Sequence, residues 1–202
     1  MCGRYDLSEN PAAIKAKFAV PLVPDFKPSA DVRPTEVNPI IRLNRARDAR
    51  ECALARWGLV PSWAKDLTFG TRTINARAES LETAPAFRSA YGARRCLVPA
   101  SGFYEWSGPK GHRIKWRIVL KDEPLFALAG LWEWWKDRGG EAPAVHSYTI
   151  VTTDANASLA HIHDRMPVII APHDYARWLD PQQPVDDLLV PFPDERVRFT
   201  TG

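Results

Sequence analysis

The segment Ile114-Lys115-Trp116-Arg117-Ile118-Val119-Leu120, followed by the apolar run Leu-Phe-Ala-Leu-Ala-Gly-Leu at 125–131, decides the fold class. Apolar and basic side chains alternate along most of the first segment, which predicts a strand buried on one face. The second segment is apolar throughout and predicts a central strand. Further short strands are predicted at 39–43, 54–60, 96–98, 102–106, 148–152 and 168–170.

Helices are predicted to be few and short. Asn10 and Pro11 are suited to the N-cap and the first position of a helix that runs to Phe18 and buries Ile14 and Phe18. Further helices are predicted at 83–91 with Gly92 as the stop, from Asp154 toward His161, and at 174–179. Many short strands with few helices predict an α+β fold, mostly antiparallel.

Length and composition predict one domain. The chain has 202 residues, of which 45% are hydrophobic and eight are Trp, so a sizeable core is expected. Residues from about 182 to 202 are Pro-rich and acidic and are expected to form an irregular tail. The sequence has neither an apolar run long enough to span a membrane nor a signal-peptide pattern, so we expect a cytoplasmic protein.

The cysteines and charges exclude several classes. The three Cys residues form no CxxC motif, which argues against a disulfide scaffold and a thiol-ligated zinc site. The net charge of +3 does not by itself indicate nucleic-acid binding. Most of the basic residues are Arg, whose planar guanidinium suits phosphate.

The first five residues, Met1-Cys2-Gly3-Arg4-Tyr5, place a Cys directly after the initiator methionine. Removal of Met1 is expected, and Cys2 then carries an α-amine and a thiol side by side. The amine has a reference pKa of about 8 and the thiol of about 8.5, so both supply a reactive fraction near neutral pH. The alternative is that Cys2 is only a small residue that opens a strand.

Residues 73–79, Thr-Ile-Asn-Ala-Arg-Ala-Glu, alternate between polar and apolar. In an extended chain Asn75, Arg77 and Glu79 face one way, so an amide and a guanidinium lie side by side. An ordinary strand with one wet face explains the same periodicity.

The segment Gly102-Phe103-Tyr104-Glu105-Trp106 places a carboxylate among three aromatic residues. Apolar surroundings disfavour the anion, so the pKa of Glu105 should rise and suit it to general acid or base catalysis. The alternative is an edge-strand Glu that points at water. Cys96, within an apolar run, is expected to be a buried and inert thiol.

The segment His161-Ile162-His163-Asp164-Arg165-Met166-Pro167 contains two histidines. It does not match the metallo-hydrolase pattern H-x-H-x-D-H, and no second His-rich or Cys-rich segment completes a metal site. His163 is therefore interpreted as a general acid or base. Trp132, Trp134 and Trp135 offer faces on which bases can stack, although such a cluster more often belongs to a core.

Together, a Cys at position 2, Asn-Ala-Arg-Ala-Glu at 75–79, Gly-Phe-Tyr-Glu-Trp at 102–106 and His-Asp-Arg-Met-Pro at 163–167 resemble the SOS-response-associated peptidase (SRAP) family. The segments at 56–63, 94–100 and 129–133 support the resemblance, which extends from Cys2 to about Pro181. It implies a compact α+β domain on a twisted, barrel-like sheet.

The resemblance also implies a chemistry. After Met1 is removed, Cys2 attacks the aldehyde of an abasic site in single-stranded DNA and forms a stable thiazolidine crosslink as part of the DNA damage (SOS) response. The family name records a proposed peptidase activity, interpreted as autocatalytic release of Met1. By matching positions, the active residues are Cys2, Asn75, Glu105 and His163. Residues expected to contact DNA are Arg4, Arg77, Arg165, Trp106, Trp63 and Pro34.

Two departures from the family pattern stand out. The stretch Asp31-Val32-Arg33-Pro34-Thr35 lacks an Asn that the family often has before an Ala-Pro pair, and Arg33 is expected to add a phosphate contact. The sequence also stops before a further segment that many members carry. The expected partner is single-stranded DNA with abasic sites, bound by a monomer without cofactor, metal or membrane and associated with the nucleoid.

Three hypotheses follow. The first is the self-consuming DNA crosslinker. The second is a thiol hydrolase that turns over peptides with Cys2, His163 and Asn75. The third is a non-covalent binder of single-stranded nucleic acid that uses Arg and Trp side chains.

Overall fold

A computed structural model of the chain describes residues 2–109, 111–137, 139–140 and 143–201. Met1, with its predicted removal, lies outside the described residues, as does Lys110 in the turn predicted after Ser107. The strands are β1 (Arg4–Leu7), β2 (Ser29–Val32), β3 (Val37–Leu43), β4 (Arg50–Trp57), β5 (Asn75–Arg77), β6 (Arg95–Ala100), β7 (Gly102–Ser107), β8 (Ile114–Leu120), β9 (Phe126–Trp135), β10 (Val145–Asp154), β11 (Arg165–Pro167), β12 (Ile169–Ile170) and β13 (Val197–Thr201). The α-helices are α1 (Pro11–Phe18), α2 (Arg88–Ala93) and α3 (Tyr175–Leu179).

Five strands close into a barrel. The ring runs β10-β4-β3-β6-β9 and returns to β10, because β10 pairs with both β4 and β9. The β4–β10 pair is parallel and the other four are antiparallel. Closure leaves the ring no free edge. The short strand β5 adds to β10 in parallel, with Asn75 opposite Ile150.

A second, antiparallel sheet has the order β13-β8-β7-β1-β2. Its strand β1 contacts the barrel through Tyr5, whose hydroxyl lies 2.8 Å from that of Tyr148 on β10. The Tyr5 ring also meets Trp57 edge-on, with 5.2 Å between ring centroids. These buried aromatic contacts hold β1 and Cys2, which precedes it, against the barrel. The predicted α+β fold with a mostly antiparallel, barrel-like sheet is confirmed.

The local predictions hold where side-chain periodicity is strong. The alternating segment at 114–120 is β8, and the apolar run lies in the buried strand β9. Helix α1 has the predicted bounds, and Asn10 Oδ1 caps it by accepting from the Ala13 N–H at 3.0 Å. Ile14 and Phe18 are buried as expected.

Strand β4 ends earlier than predicted. The sequence indicates a strand to residue 60, but β4 stops at Trp57. Gly58 takes a φ of 115°, and a Cβ there would lie 2.4 Å from the Gly70 carbonyl oxygen. Only glycine tolerates both constraints, so the chain turns at Gly58.

Of two further helix predictions, one is confirmed only in part and one is wrong. The helix expected at 83–91 is the shorter α2, and Gly92 lies inside it. Pro85 lacks an N–H and disfavours a helical conformation for the residue before it, so the regular helix begins only at Arg88. Asp154 is the last residue of β10, and Asn156 instead organises turns after it by accepting from the Leu159 N–H at 2.9 Å.

Two further expectations need correction. The alternation at 73–79 ends at Arg77, because Ala78–Ser80 form a 3₁₀ turn that carries Glu79 off the strand. The end of the chain is not an irregular tail throughout, since β13 pairs with β8. None of the helices within the described ranges has the length and apolar character needed to cross a membrane.

Candidate active site

Cys2 lies where the second sheet meets the barrel. Strand β1 pairs with β7, with Arg4 opposite Tyr104, so the chain that leads into β1 runs beside Glu105. The Cys2 side chain is fully buried, and its Sγ lies 3.5 Å from the Arg4 carbonyl oxygen. Burial raises the pKa of the thiol, and the nearby charge of Glu105 raises it further. The thiol is therefore protonated at neutral pH.

Asn75 binds the main chain at Cys2 directly. Its Nδ2 donates to the Cys2 carbonyl oxygen at 2.9 Å. Strand β5 supplies this amide, and its parallel pairing with β10 fixes the side chain beside the barrel wall. Asn75 Oδ1 is buried without a hydrogen-bond partner among the described residues, so this acceptor is available to a donor that arrives from outside.

Glu105 is a buried carboxyl group on β7 and is only 3% exposed. Burial raises its pKa, and the charge of His163 partly opposes that rise. The alternative, an edge-strand Glu that points at water, is thereby excluded. A carboxyl with a raised pKa both accepts and releases protons closer to neutral pH than an exposed one.

His163 follows the turns after β10. Its Nδ1 receives the Arg165 backbone N–H at 2.9 Å and also lies 2.8 Å from Asp164 Oδ1. These contacts need opposite states of Nδ1, a lone pair for the first and a proton for the second. The Asp164 side chain is 86% exposed and solvated, whereas the backbone N–H is fixed in place. We therefore assign the lone pair to Nδ1 and, in the neutral ring, the hydrogen to Nε2.

These four residues form one site. Asn75 contacts Cys2 directly, and Glu105 is close enough to Cys2 and to His163 for their charges to shift pKa values. They come from four separate segments of the chain: the residues before β1, strand β5, strand β7 and the turns before β11. Within the described residues, no three His, Cys, Asp or Glu side chains are grouped as metal ligands.

Arg4 belongs to a small ionic cluster at the edge of the second sheet. Its Nη1 lies 2.7 Å from Asp31 Oδ1, and Arg33 Nη2 lies 2.7 Å from the other oxygen of Asp31. Partial burial alone would raise the pKa of Asp31, but hydrogen bonds from Arg4 and Arg33 lower it overall. The Arg4 guanidinium also lies 5.9 Å from the ring centroid of Trp106. The carboxylate of Asp31 thus offsets one of the two positive charges of Arg4 and Arg33.

Arg77 and Arg165 have different surroundings. Arg77 is exposed on β5, two residues beyond Asn75, and its side chain makes no ion pair with a described residue. The Arg165 side chain is 10% exposed and donates to both oxygens of Glu79, to Asp154 and to the Thr152 carbonyl oxygen. Its predicted phosphate contact would compete with two carboxylates and stays a prediction.

Trp63 and Pro34 complete the predicted set. Trp63 is 48% exposed and meets the Phe69 ring edge-on at a centroid distance of 5.0 Å. Pro34 is half-buried in the turn between β2 and β3. Both lie at the surface, and their DNA contacts stay predictions.

Sequence reasoning missed two acidic partners. It placed Glu79 on a strand face beside Arg77, whereas Glu79 binds Arg165. It noted Asp31 only as a departure, whereas Asp31 pairs with Arg4 and Arg33. No local signal identifies these pairs, because Glu79 lies 86 residues from Arg165 and Asp31 lies 27 residues from Arg4.

Comparison with known proteins settles the family. Residues 1–201 match the family model described as SOS response associated peptidase (SRAP). The chain belongs to the SRAP family. It is 40% identical over 194 residues to abasic site processing protein YoqW from Bacillus subtilis (strain 168), covering 94% of this chain and 84% of that protein.

A more distant relative and a solved structure also match this chain. Abasic site processing protein HMCES from Mus musculus is 32% identical over 194 residues, covering 77% of this chain and 54% of the mouse protein. The crystal structure of a protein from Bacteroides thetaiotaomicron superposes with a TM-score of 0.86 at 27% identity, covering 99% of this chain and 91% of that one. The SRAP fold described above is therefore shared with a solved structure over nearly the whole chain.

Proposed function

We propose that this SRAP protein binds single-stranded DNA at abasic sites and, once Met1 is removed, crosslinks to the lesion through Cys2. The observation that carries the proposal is the hydrogen bond from Asn75 to the Cys2 carbonyl oxygen, with the buried Glu105 beside it. This arrangement clamps the main chain at Cys2 next to a proton carrier. The names of the relatives, which describe abasic site processing, support the same substrate.

The proposed reaction begins at the α-amine of Cys2. The amine adds to the aldehyde carbon of the open abasic sugar, and loss of water gives a Schiff base. The sulfur then bonds to the same carbon and the thiol proton passes to the nitrogen. The five-membered ring that results is a thiazolidine, and one molecule of water is the only by-product.

Glu105 is suited to the proton transfers. Dehydration needs an acid and ring closure needs a base for the thiol, and a carboxyl with a raised pKa can serve both. A protonated, buried thiol makes such a base necessary, because thiolate rather than thiol is the nucleophile. The unpaired Asn75 Oδ1 is placed to accept from the terminal amine or from a sugar hydroxyl.

His163 is suited to opening the sugar. An abasic deoxyribose exists mainly as a closed hemiacetal, and its ring oxygen must gain a proton when the aldehyde is released. The Nε2–H assigned above provides a donor, while the Arg165 N–H fixes the ring orientation through Nδ1.

DNA contacts are assigned to the surface around this site. Arg77, Arg4 and Arg33 are partly or fully exposed and suit phosphate, and Trp106 and Trp63 offer ring faces to unstacked bases. Phosphate contacts position the strand without reading its sequence, so we expect salt-sensitive and largely sequence-independent binding.

The two other hypotheses have less support. A thiol hydrolase with multiple turnover on peptides is less well supported, because the exposed arginines around the site suit phosphate better than a peptide. A purely non-covalent binder leaves unexplained why a buried carboxyl and an amide converge on an N-terminal cysteine. Autocatalytic release of Met1 remains compatible with the same residues and is a single event for each chain.

The experiment mixes Met1-processed protein with a single-stranded oligonucleotide that holds one abasic site and resolves the products on a denaturing gel. We expect a slow-migrating adduct with the wild type and none with Cys2→Ala. DNA whose aldehyde has been capped with an alkoxyamine is the matched substrate control. An adduct that persists with Cys2→Ala, or no adduct with the wild type, would overturn the proposal.

A further inference from the structure

A second concave, basic site lies at the other end of the barrel. A cavity of about 530 Å³, here called the distal cavity, is bordered by the end of the β3–β4 hairpin and by residues of β9 and β10. His146 on β10 lines it, whereas Asn75 pairs with Ile150 further along the same strand. Four residues of strand correspond to about 13 Å, so the distal cavity is separate from the Cys2 site.

The charge of the distal cavity is strongly positive. Five arginines line it (Arg42, Arg45, Arg47, Arg94 and Arg95), and among its described lining residues they face the single carboxylate of Glu51. Arg45 and Arg47 are exposed, and neither side chain forms an ion pair within the described part of the chain. A concave surface that concentrates one sign of charge attracts ligands of the opposite sign.

Two buried guanidinium nitrogens in the distal cavity lack acceptors. Arg42 donates through Nε to Glu51 at 2.7 Å, and Arg94 donates through Nη2 to Glu133 at 2.8 Å. Arg42 Nη1 and Arg94 Nε are buried and have no hydrogen-bond partner among the residues described. Buried donors are nearly always satisfied in folded proteins, so the acceptor for these two is a water molecule or a ligand atom.

The distal cavity also has an aromatic wall. The Arg42 guanidinium lies 4.1 Å from the ring centroid of Trp132, and His146 meets the same ring edge-on at 5.8 Å. Burial and the charge of Arg42 lower the pKa of His146, so its ring is neutral at pH 7. Trp134 is 53% exposed at the mouth and presents an uncovered indole. An exposed indole beside arginines suits a nucleobase that carries a phosphate.

We propose that the distal cavity is a second, non-covalent site that binds a nucleotide, with its phosphate on Arg45 and Arg47 and its base on Trp134. The volume lies within the range of small-molecule sites, roughly 300–1,000 Å³. The ligand is a free nucleotide or one nucleotide of a strand, since both present the same phosphate and base. The site does not depend on the chemistry at Cys2.

The test titrates the Cys2→Ala protein with dAMP and follows the Trp indole and His146 ring signals by NMR. Saturable shifts of the Trp134 and His146 signals are expected. The double variant Arg45→Glu/Arg47→Glu should weaken binding by roughly tenfold or more, because two charge-assisted contacts are lost. The matched control Lys15→Glu/Arg198→Glu makes the same change in net charge at exposed positions elsewhere and should bind like the parent.

Separate ligands test the two halves of the site. Inorganic phosphate and deoxyadenosine should each bind more weakly than dAMP. Trp134→Ala should weaken dAMP binding by roughly fivefold or more while leaving phosphate binding unchanged. A short oligodeoxythymidylate that binds at the same signals more tightly than dTMP identifies a strand as the ligand, and equal affinities identify the free nucleotide.

Three results would overturn this inference. The first is the absence of saturable shifts at Trp134 and His146. The second is equal affinity of the parent and of Arg45→Glu/Arg47→Glu. The third is phosphate binding as tight as dAMP binding, which would leave only an anion site without a base contact. Because the parent already lacks the Cys2 thiol, none of these results bears on the crosslinking proposal.

Discussion

Replacement of Asn75 by alanine should slow crosslinking while leaving the fold intact. In the protein, Asn75 Nδ2 donates to the Cys2 carbonyl oxygen at 2.9 Å in partly buried surroundings. Alanine removes the donor and frees the main chain that carries both the α-amine and the thiol. The reacting groups then lose their fixed orientation toward the aldehyde.

The magnitude follows from the hydrogen bond. A carbonyl left without its donor in buried surroundings costs about 1–3 kcal/mol, which corresponds to a rate loss of roughly ten- to hundredfold if it is felt in the transition state. Stability should change less, because alanine also removes the buried Oδ1 that has no described partner. The two effects oppose each other, so the free energy of unfolding should change by under about 1 kcal/mol.

The assay measures single-turnover crosslinking under saturating protein, with DNA affinity from fluorescence anisotropy and stability from urea unfolding. Asn75→Asp is the shape-matched variant. It replaces the donor by a carboxylate that faces the Cys2 carbonyl oxygen and adds negative charge near Glu105, so it should be slower than Asn75→Ala. Crosslinking by Asn75→Ala at the wild-type rate would refute the clamp, and an equal loss of DNA affinity and rate would show that Asn75 only binds DNA.

Three further predictions concern charged residues. Glu105→Gln should slow crosslinking by roughly a hundredfold or more with little change in DNA affinity. Burial raises the pKa of Glu105 above 4.5, so the stabilising contribution of this group is present at lower pH and is lost as the pH rises through the folded-state pKa. The wild type should therefore lose stability relative to Glu105→Gln as the pH rises. Denaturation of both proteins at several pH values measures this difference in unfolding free energy. Asp31→Asn should release Arg4 from its carboxylate and tighten single-strand binding at low salt. The slope of log binding constant against log salt concentration, measured by anisotropy across a salt series, should steepen by about 0.7 for each additional phosphate that the protein neutralises. An unchanged slope contradicts this prediction. Arg77→Ala should weaken DNA binding but change the free energy of unfolding by less than about 0.5 kcal/mol. Arg165→Ala should cost about 1–3 kcal/mol, because it leaves the buried Thr152 carbonyl oxygen without this donor. The opposite ranking of the two variants in urea unfolding would count against these assignments.

The strands and the chemistry-bearing residues are predictable where the signal is local. The alternation that defines β8 and the apolar run that defines β9 depend only on neighbouring residues. The aromatic residues beside Glu105 in sequence predict a raised pKa, and burial raises that pKa in the structure. The Asn10 cap of α1 is a local signal of the same kind.

What the sequence does not predict depends on contacts between distant segments. Strand β4 ends early because Gly58 packs against Gly70, a contact that no local pattern contains. Glu79 leaves the strand to bind Arg165, which lies far along the chain. The distal cavity brings Arg42 of β3 together with Trp132 of β9, two strands that are separated by β6 in the sheet. Tertiary packing between distant segments creates these contacts, so periodicity within a strand does not reveal them.

The candidate site likewise combines residues that the sequence predicts with contacts that only the structure shows. Residue type and spacing single out Cys2, Asn75, Glu105 and His163, and the family resemblance groups them. Only the structure gives the Asn75–Cys2 hydrogen bond, the unpaired Oδ1 of Asn75 and the lone pair on Nδ1 of His163. These details determine which atom acts as donor or acceptor in each proposed step.

Intact mass spectrometry of the protein after incubation with abasic single-stranded DNA tests the central claim most directly. We expect a species whose mass is that of the chain without Met1 plus that of the DNA less one molecule of water. Chains that retain Met1 should form no such species, because their Cys2 amine is held in a peptide bond. The same adduct on chains that retain Met1, or no adduct on processed chains, would contradict the account.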